Sequence, residues 1–522
     1  MNTPSLFGLV LIVIVAIPSG QAAAQSDRDH PATYSPPPLI AQPATLPEDW
    51  AGRETRALSL SEAIEMAVEN NLGITLARQR AAASKQDTAA TSEAFEPALT
   101  GSYVRPSSQF LPETLTMAGT QRLRWGTELS VNLAARRLES LFDTEDSHTS
   151  EISASVSQPL LRGFSVDGAI PRADILRAEL ASERILRDMQ IAVTDTVRRT
   201  EDAYWELVRT LKAHRVQIAS LRLAEQQMLL TERQIKAGIL PQSDLISAEG
   251  TLAQRQLALV RAESAIEQAG DQLRQVLNLP RDQWSVALIP GDSPGFDAVE
   301  SSADETDSAL RRAEQNRPEL EQRRIDLDQA ALDTRIARNQ RLPDVRVSAS
   351  YGLVGQSDSF SNALDQLGDD DARFWSVSLS LSWSPLGRAA RARYRSQQIR
   401  RSAAQTLRDQ ELLTIHTEVR QAVRAVTTSR RQVLAAAKAR ELAERSLDAE
   451  QRKFLNGTSS NFFVAQRQAE LAQAQQAELD ALIGYRQART ALHQATGTLL
   501  EQHAVELTVA GSAAPPSRPS AQ

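Results

Sequence analysis

The sequence contains no cysteine and few aromatic side chains. Among its 522 residues the cysteine count is 0, and Phe, Trp and Tyr together make up 4%. The absence of cysteine excludes disulfides, thiolate metal ligands, a catalytic thiol and a lipidated N-terminal cysteine. The shortage of aromatic residues argues against several compact domains with large cores. Long stretches rich in Ala, Gln, Arg, Glu and Leu are instead typical of long amphipathic helices.

The charge pattern and the motif content exclude several functional classes. The 58 basic and 65 acidic residues give a net charge of −7, without a basic block of the kind that binds phosphates. The 6 histidines are scattered, and neither a nucleophile elbow nor a Gly-Lys-Ser/Thr phosphate loop is present. The acidic run Asp369–Asp371 lacks the ligand spacing of a calcium loop, which favours a solvated loop. We therefore expect no enzymatic activity, no metal, no cofactor and no nucleic-acid partner.

The longest apolar run lies near the N-terminus. Leu6–Ile17 is too short to span a bilayer and is followed by the small residues Ala22–Ala24, which predicts a signal peptide over residues 1–24. A core segment at the N-terminus is the alternative. Residues 25–57 and 512–522 are rich in proline and are expected to form a linker and a disordered tail. No other apolar run is long enough for a transmembrane helix, so any membrane-spanning part is expected to be a β-barrel.

Residues recur at constant offsets along the chain. The offset is 246 for the pairs Ile64 and Leu310 and Pro97 and Pro343, and it is 226 for Pro159 and Pro385. It is 219 for Gly238 and Gly457 and for Leu252 and Leu471. The last decrease, of seven, is one heptad, which leaves the buried stripe of a helix facing the same way. The sequence therefore predicts a tandem duplication with units at 58–291 and 300–511.

Each unit contains a long helix flanked by two shorter ones. An apolar seam at three- and four-residue steps predicts a helix over Ile175–Ile235, ~90 Å long at 1.5 Å per residue. The shorter helices are about half that length, so two stacked end to end match the long one. The predicted helices are Ser61–Phe95, Ile175–Ile235 and Ser243–Leu279 in the first unit, and Ser308–Arg341, Arg391–Phe454 and Asn461–Leu500 in the second.

Between the first two helices of each unit the apolar period changes to two. The segment WSVSLSLSW alternates four serines with an apolar row formed by Trp375, Val377, Leu379, Leu381 and Trp383. The two Trp residues are ~27 Å apart along an extended strand, which is typical of an outer-membrane strand with aromatic girdles. This row is expected to face lipid. Weaker alternation marks Leu123–Leu133, Ile152–Gln158 and Val345–Tyr351, and strands are expected within about 97–160 and 343–385.

Four such strands cannot close a barrel alone, so closure is expected to need several chains. The first unit contains three strand-like segments, because Leu99–Val104 is also strand-like. Both flanking helices must lie on one side of the membrane, which requires an even number of crossings. We assign Leu123–Leu133 in part to an extended extracellular hairpin.

The order of these motifs resembles the outer-membrane factor family, the TolC-like exit ducts of tripartite efflux pumps and type I secretion systems. The resemblance covers Leu58 to about Leu500. It rests on the duplication, on the strand ends Gln158–Gly163 and Ser384–Leu386 before each long helix, and on the helix-turn-helix segments Lys236–Leu245 and Phe454–Val464.

The resemblance implies an α+β membrane protein: a homotrimer with a twelve-stranded outer-membrane β-barrel and a long α-helical periplasmic barrel. It also implies a mixed belt formed by Pro280–Glu305, Val505–Val509 and the segment before Ser59. The implied function is a passive exit duct that works with a periplasmic adaptor and an inner-membrane transporter. An exported structural or adhesive coiled-coil rod is the main alternative, and the periplasmic adaptor itself is a third reading.

The resemblance also assigns roles to the two helix-turn-helix tips. The residues expected to face the adaptor are Gly238, Ile239, Leu240, Gly457, Thr458 and Ser459. The residues expected at a periplasmic constriction are Asp244, Phe454, Phe463 and Gln466. Family members often carry acidic residues just past the second tip, whereas this chain has Phe463 and Gln466 there. An apolar constriction is one reading of the Phe residues, and packing between neighbouring helices is the other.

Overall fold

The computed structural model describes residues 54–107, 112–138, 147–296, 303–368 and 370–506. The predicted signal peptide, the linker up to residue 53 and the tail at 512–522 lie outside these residues, as does Asp369.

Ten α-helices occur in the described part of the chain, and two of them are long. The long helices are α3 with 64 residues and α8 with 68. Their bounds lie within three residues of the predicted ones. The helices are α1 (Leu60–Asn70), α2 (Leu72–Thr91), α3 (Ala173–Lys236), α4 (Ser243–Leu277), α5 (Ala303–Asn316), α6 (Pro318–Asn339), α7 (Phe360–Asp365), α8 (Arg388–Leu455), α9 (Asn461–Ala495) and α10 (Leu499–Gln502).

The first helix predicted in each half is divided into two. In the first half the break is at Asn71, which has extended backbone and whose side chain accepts a 2.8 Å hydrogen bond from the N–H of Gly73. In the second half it is at Arg317, immediately before Pro318. Proline disfavours helical backbone in the residue before it and has no N–H to donate, so the chain restarts a helix at Pro318.

Shorter helices pack along each long one. Helices α2 and α4 lie against α3, and α6 and α9 lie against α8. The predicted seam of α3 is largely buried, and its Tyr204, Leu207 and Leu211 pack with Leu273 and Leu277 of α4. The expected match between one long helix and two shorter ones is therefore present in the packing.

A small parallel sheet crosses the helices at mid-length. Strand β1 (Thr55–Leu58) pairs with β6 (Ala287–Pro290). The buried hydroxyl of Tyr204 donates to the carbonyl oxygen of Leu58 at 3.1 Å and lies 2.6 Å from the Asp292 carboxylate. This sheet confirms that the segment before Ser59 joins the segment after Pro280. The predicted belt residues 297–302 and 507–509 lie outside the described residues.

The larger sheet has six antiparallel strands in the described residues. In the order β2-β3-β4-β5-β7-β8, each strand pairs with the next. The strands are β2 (Ala98–Val104), β3 (Glu113–Arg122), β4 (Glu128–Leu138), β5 (Ser147–Pro159), β7 (Asp344–Ser357) and β8 (Arg373–Ser382). Four of them belong to the first half, so the expectation of three strand-like segments was wrong. Strand β3 was missed because only Leu115 and Met117 mark its apolar face.

The assignment of Leu123–Leu133 to an extracellular hairpin was also wrong. Leu123–Thr127 is a tight turn closed by a 2.7 Å hydrogen bond from the Leu123 N–H to the Thr127 carbonyl, and β4 follows. This turn lies at the helix end of the sheet. Gly126 has a φ of 91°, and a Cβ at this position would lie 3.2 Å from the Gly163 carbonyl oxygen and 3.3 Å from Pro171. The close approach explains why glycine is needed there.

None of the helices in the described ranges combines the length and the apolar character needed to cross a membrane. Within the same ranges, no three His, Asp or Glu side chains come together in an arrangement that could hold a metal ion.

Candidate functional site

The six-stranded sheet has one apolar face that is exposed in the single chain. Trp375, Val377, Leu379 and Leu381 of β8 are 67–76% exposed, and Trp383, just after the strand, is 61% exposed. The register places Val345, Val347, Ala349 and Tyr351 of β7 on the same face. Large apolar side chains that are this exposed over several strands indicate an apolar surrounding or a partner surface.

The opposite face is lined with hydroxyl groups that bond from strand to strand. Ser350 and Ser376 are joined at 2.8 Å, Ser348 donates to Ser157 at 3.1 Å, and Ser130 and Ser155 are joined at 2.6 Å. Charged side chains such as Arg346 and Glu128 also lie on this face, 3.4 Å apart. The sheet therefore separates an apolar surface from a polar one.

The first tip joins α3 to α4 through a left-handed glycine. Gly238 has a φ of 75°, and the N–H of Ile239 reaches back to the Gln234 carbonyl oxygen at 2.9 Å. This bond and the positive φ together form a Schellman-type helix end. Ile239 is 69% exposed, whereas Leu240 is partly buried against the second hairpin.

The second tip joins α8 to α9 with the same backbone geometry. Gly457 has a φ of 74°, and the N–H of Thr458 reaches the Lys453 carbonyl oxygen at 2.9 Å. Thr458 is exposed, while Ser459 is partly buried and donates a 2.5 Å hydrogen bond to Glu450. This hydrogen bond holds the pKa of Glu450 below its usual value. The turn predicted at each glycine is thus present at both tips.

The two tips lie at the same end of the molecule because the hairpins pack together there. Phe454 is 4% exposed and packs with Val464 and Leu471 of its own hairpin. Leu230 and Leu240 of the first hairpin pack against the same cluster. Phe454 therefore packs between the two hairpins of one chain, and its assignment to a constriction stays a prediction.

Of the other residues predicted at a constriction, Phe463 and Gln466 are exposed and Asp244 is partly buried. Phe463 is 48% exposed and meets the edge of Phe462, with ring centroids 5.6 Å apart. Gln466 is exposed and donates to Glu470 at 3.1 Å. Asp244 belongs to the first hairpin, in the first turn of α4, where its N–H donates to the Pro241 carbonyl at 3.1 Å. Phe463 and Gln466 lie on successive turns of α9.

Two buried polar contacts between helices were not predicted. The side-chain amide of Gln227 in α3 donates a 2.9 Å hydrogen bond to the side-chain oxygen of Asn461, and both residues are buried. Further from the tips, Arg440 of α8 pairs with the buried Glu478 of α9. In helices rich in Gln, Arg and Glu, such residues look like surface positions. Only their place on the buried seam could have indicated them.

Comparison with known proteins agrees with this architecture. Residues 309–498 match the family model described as outer membrane efflux protein. The outer-membrane channel OprN has a similar structure, with a TM-score of 0.64 at 18% identity over 89% of this chain and 98% of that one. The CmeC outer membrane channel of Campylobacter jejuni has a TM-score of 0.62 at 13% identity, covering 84% of this chain and 86% of that one.

A third similar structure is the outer membrane protein VceC of Vibrio cholerae, with a TM-score of 0.61 at 16% identity over 84% of this chain and 96% of that one. No curated protein matches the sequence. The resemblance drawn from the sequence motifs is confirmed by the family match and by these folds. The match also agrees with the predicted outer-membrane location.

Proposed function

We propose that the protein is an outer-membrane channel that serves as the exit duct of a tripartite efflux pump or a type I secretion system. The observation that carries the proposal is the two-faced sheet at one end of long helical hairpins whose tips meet at the other end. An exposed apolar face next to a hydroxyl-rich face suits a wall between lipid and water. The helices, apolar on one seam and charged elsewhere, suit a water-filled periplasmic conduit.

In this proposal the working form is a homotrimer built from two units per chain, 58–291 and 300–511. The sheet of one chain has two exposed edges, and a membrane offers no water to satisfy unpaired backbone groups. Several chains must therefore complete a closed β-barrel. Two helical hairpins from each chain would complete the periplasmic tunnel beneath it.

The tips are the proposed contact with the periplasmic adaptor. Gly238, Ile239, Gly457 and Thr458 are exposed there, while Leu240 and Ser459 hold the two turns against the hairpins. Transport through the duct is passive, and an inner-membrane transporter supplies the energy. Phe463 and Gln466, exposed near the tip of α9, are the proposed narrow point of the closed duct, with Asp244 on the adjacent hairpin.

Reconstitution tests the proposal directly. The purified protein is expected in the outer-membrane fraction, as a trimer by mass measurement in detergent, and it should form discrete conductance steps in planar bilayers. A protein that stays soluble and monodisperse after detergent removal, without conductance, would instead be a coiled-coil rod. A conducting trimer that cannot be crosslinked to an adaptor through its tips would retain the channel but overturn the tip assignment.

A further inference from the structure

The apolar face of the sheet continues without a break over the first two strands of the large sheet. The register aligns Leu115 and Met117 of β3 with Ala135 and Leu133 of β4. The next pairing aligns Leu99, Gly101 and Tyr103 of β2 with Gly119, Met117 and Leu115. Leu99 is 80% exposed and Met117 is 50% exposed. Strands β2 and β3 thus present the same kind of surface as the Trp-bounded row of β8.

The hydroxyl-rich face also continues over this hairpin. Ser102 and Thr116 are joined at 2.7 Å across β2 and β3, as serine pairs are joined elsewhere in the sheet. Thr100 donates to the Ala118 carbonyl at 3.3 Å on the same face. If this hairpin were folded over the sheet or into the lumen, its apolar and hydroxyl-rich faces would not need to align with the apolar and hydroxyl-rich faces of the other four strands.

Backbone pairing and the turn hold the hairpin in the plane of the sheet. Strands β3 and β4 pair over their whole length, from Glu113 with Arg137 to Arg122 with Glu128. The turn between them is fixed at Gly126 against Gly163 and Pro171, next to the start of α3. The β2–β3 hairpin is therefore an extension of the wall, with β2 as its free edge.

The two free edges run in opposite directions. Strand β2 follows the end of α2 and leads away from the helices, whereas β8 leads back toward α8. All residues of the two edge strands except Phe374 are exposed in the single chain. A second copy placed beside the first therefore brings its β2 next to β8 in antiparallel orientation, with both apolar faces on the same side. Antiparallel pairing of this kind satisfies the N–H and C=O groups that each edge leaves open.

We propose that β2 of one chain pairs with β8 of the next, so that three copies close a wall of eighteen strands. This inference rests on the proposed outer-membrane trimer and departs from the twelve strands that the family resemblance implies. With strands ~4.8 Å apart and tilted by ~40°, twelve strands give a barrel ~24 Å across and eighteen give ~36 Å between backbones. The mouth of the duct is then much wider than the resemblance suggests.

Disulfide crosslinking tests the seam, and the natural absence of cysteine removes any background. Double variants combine Ser376→Cys, Ser378→Cys or Ser380→Cys in β8 with Ala98→Cys, Thr100→Cys or Ser102→Cys in β2. A small panel is needed because a disulfide requires Cβ atoms ~3.5–4.5 Å apart. A second panel combines the same β8 variants with Ser130→Cys, Asn132→Cys or Ala134→Cys in β4. The double variant Ser350→Cys with Ser376→Cys is the intramolecular positive control.

Oxidation of the purified trimer should give covalent multimers on denaturing gels with at least one β2–β8 pair and with no β4–β8 pair. Intermolecular crosslinks between β4 and β8 in an intact trimer would overturn the eighteen-stranded wall and leave the proposed function standing. An intact trimer without crosslinks in either panel would also overturn it. Loss of the trimer in the cysteine-free protein would overturn the proposed function itself.

Electron microscopy of the same trimer gives an independent measurement. Projections along the channel axis should show a ring at the sheet end with a diameter of ~36 Å. A ring of ~24 Å would exclude β2 and β3 from the wall. This measurement needs no substitution, so it does not depend on how well the cysteine variants fold.

Discussion

The Nε of Arg440 lies 2.8 Å from a carboxylate oxygen of Glu478, and the Glu478 side chain is fully buried. This ion pair links α8 to α9 within the second hairpin. Arg440 also reaches Glu444 on its own helix at 3.0 Å. The pair places a carboxylate in the packed layer between two helices, where loss of its cation is costly.

Arg440→Met is expected to lower the free energy of unfolding by about 3 kcal/mol, because it leaves Glu478 buried without this cation. Adding Glu478→Leu should recover much of the loss, since the buried charge is then gone. Thermal unfolding of the trimer in detergent measures both. Lys438→Met, which breaks an exposed pair with Glu441, is the matched control and should change little. Equal effects of the two single substitutions would contradict a special role for the buried pair.

The tip glycines are expected to resist replacement for a purely conformational reason. Gly238→Ala and Gly457→Ala should each cost about 1–2 kcal/mol, because both positions have positive φ although a Cβ would meet no atom within 4 Å. Gly250→Ala, in the interior of α4 with equally open space, should instead stabilise by up to about 1 kcal/mol. Thermal midpoints of the three variants give the comparison, and a stabilising effect at a tip would refute the strain.

The two faces of β8 can be compared at neighbouring residues. Leu379→Arg should cost roughly 2–4 kcal/mol and reduce the amount of assembled protein in the outer-membrane fraction, because in the proposed channel this position faces lipid. Ser380→Arg lies on the hydroxyl-rich face and should be tolerated. Equal yields of trimer for the two variants would remove the membrane assignment of this sheet.

A buried lysine in α3 gives a pH-dependent prediction. Burial lowers the pKa of Lys212 to about 8, and the nearby Arg215 acts in the same direction. Between about pH 8 and the usual lysine pKa near 10.5, the unfolded chain holds a proton that the folded chain has lost, so stability rises with pH through this window. At lower pH the cost of charging Lys212 in the folded state is fully present.

Lys212→Met should therefore raise stability at pH 7 by as much as about 3 kcal/mol, and the gain should disappear as the pH approaches 10.5. Thermal unfolding of both proteins across this pH range measures the difference. Lys236→Met at the exposed end of α3 serves as the control, with no comparable gain. A gain that did not depend on pH would point to packing instead of charge.

Conductance tests the proposed narrow point. Phe463→Ala combined with Gln466→Ala should raise single-channel conductance in planar bilayers without changing the yield of trimer, because both side chains are exposed. Phe454→Ala should behave differently and destabilise the tips by about 3–5 kcal/mol, since it empties a buried cluster. Unchanged conductance in the double variant with an intact trimer would place the constriction elsewhere.

The helical part of the fold was largely predictable, because an apolar seam repeated over many turns is a strong signal. The predicted helix Ile175–Ile235 corresponds to Ala173–Lys236, and Ser243–Leu279 to Ser243–Leu277. The sheet was less predictable, since β3 carries few large apolar residues. The sequence around Gly126 does not indicate at which end of the sheet this turn lies.

The candidate site could be predicted only in its backbone. The turns at Gly238 and Gly457 followed from glycine at the end of each long seam. The burial of Phe454 between the hairpins did not, because it depends on contacts with Leu230 and Leu240 from a distant part of the sequence. The Gln227–Asn461 contact joins two helices whose residues are 234 positions apart in the sequence, so no local sequence pattern indicates it.

In the proposed duct, the unbroken course of α3 and α8 determines how the sheet and the tips are mechanically connected. Each of these helices leads from the sheet to a tip without interruption, whereas α4 ends beside the small parallel sheet and α9 ends against α5 and α8. A movement of the tips is therefore transmitted to the six-stranded sheet along two helices per chain. In the proposed duct, opening of the tips therefore requires α3 and α8 to bend or rotate along their whole length.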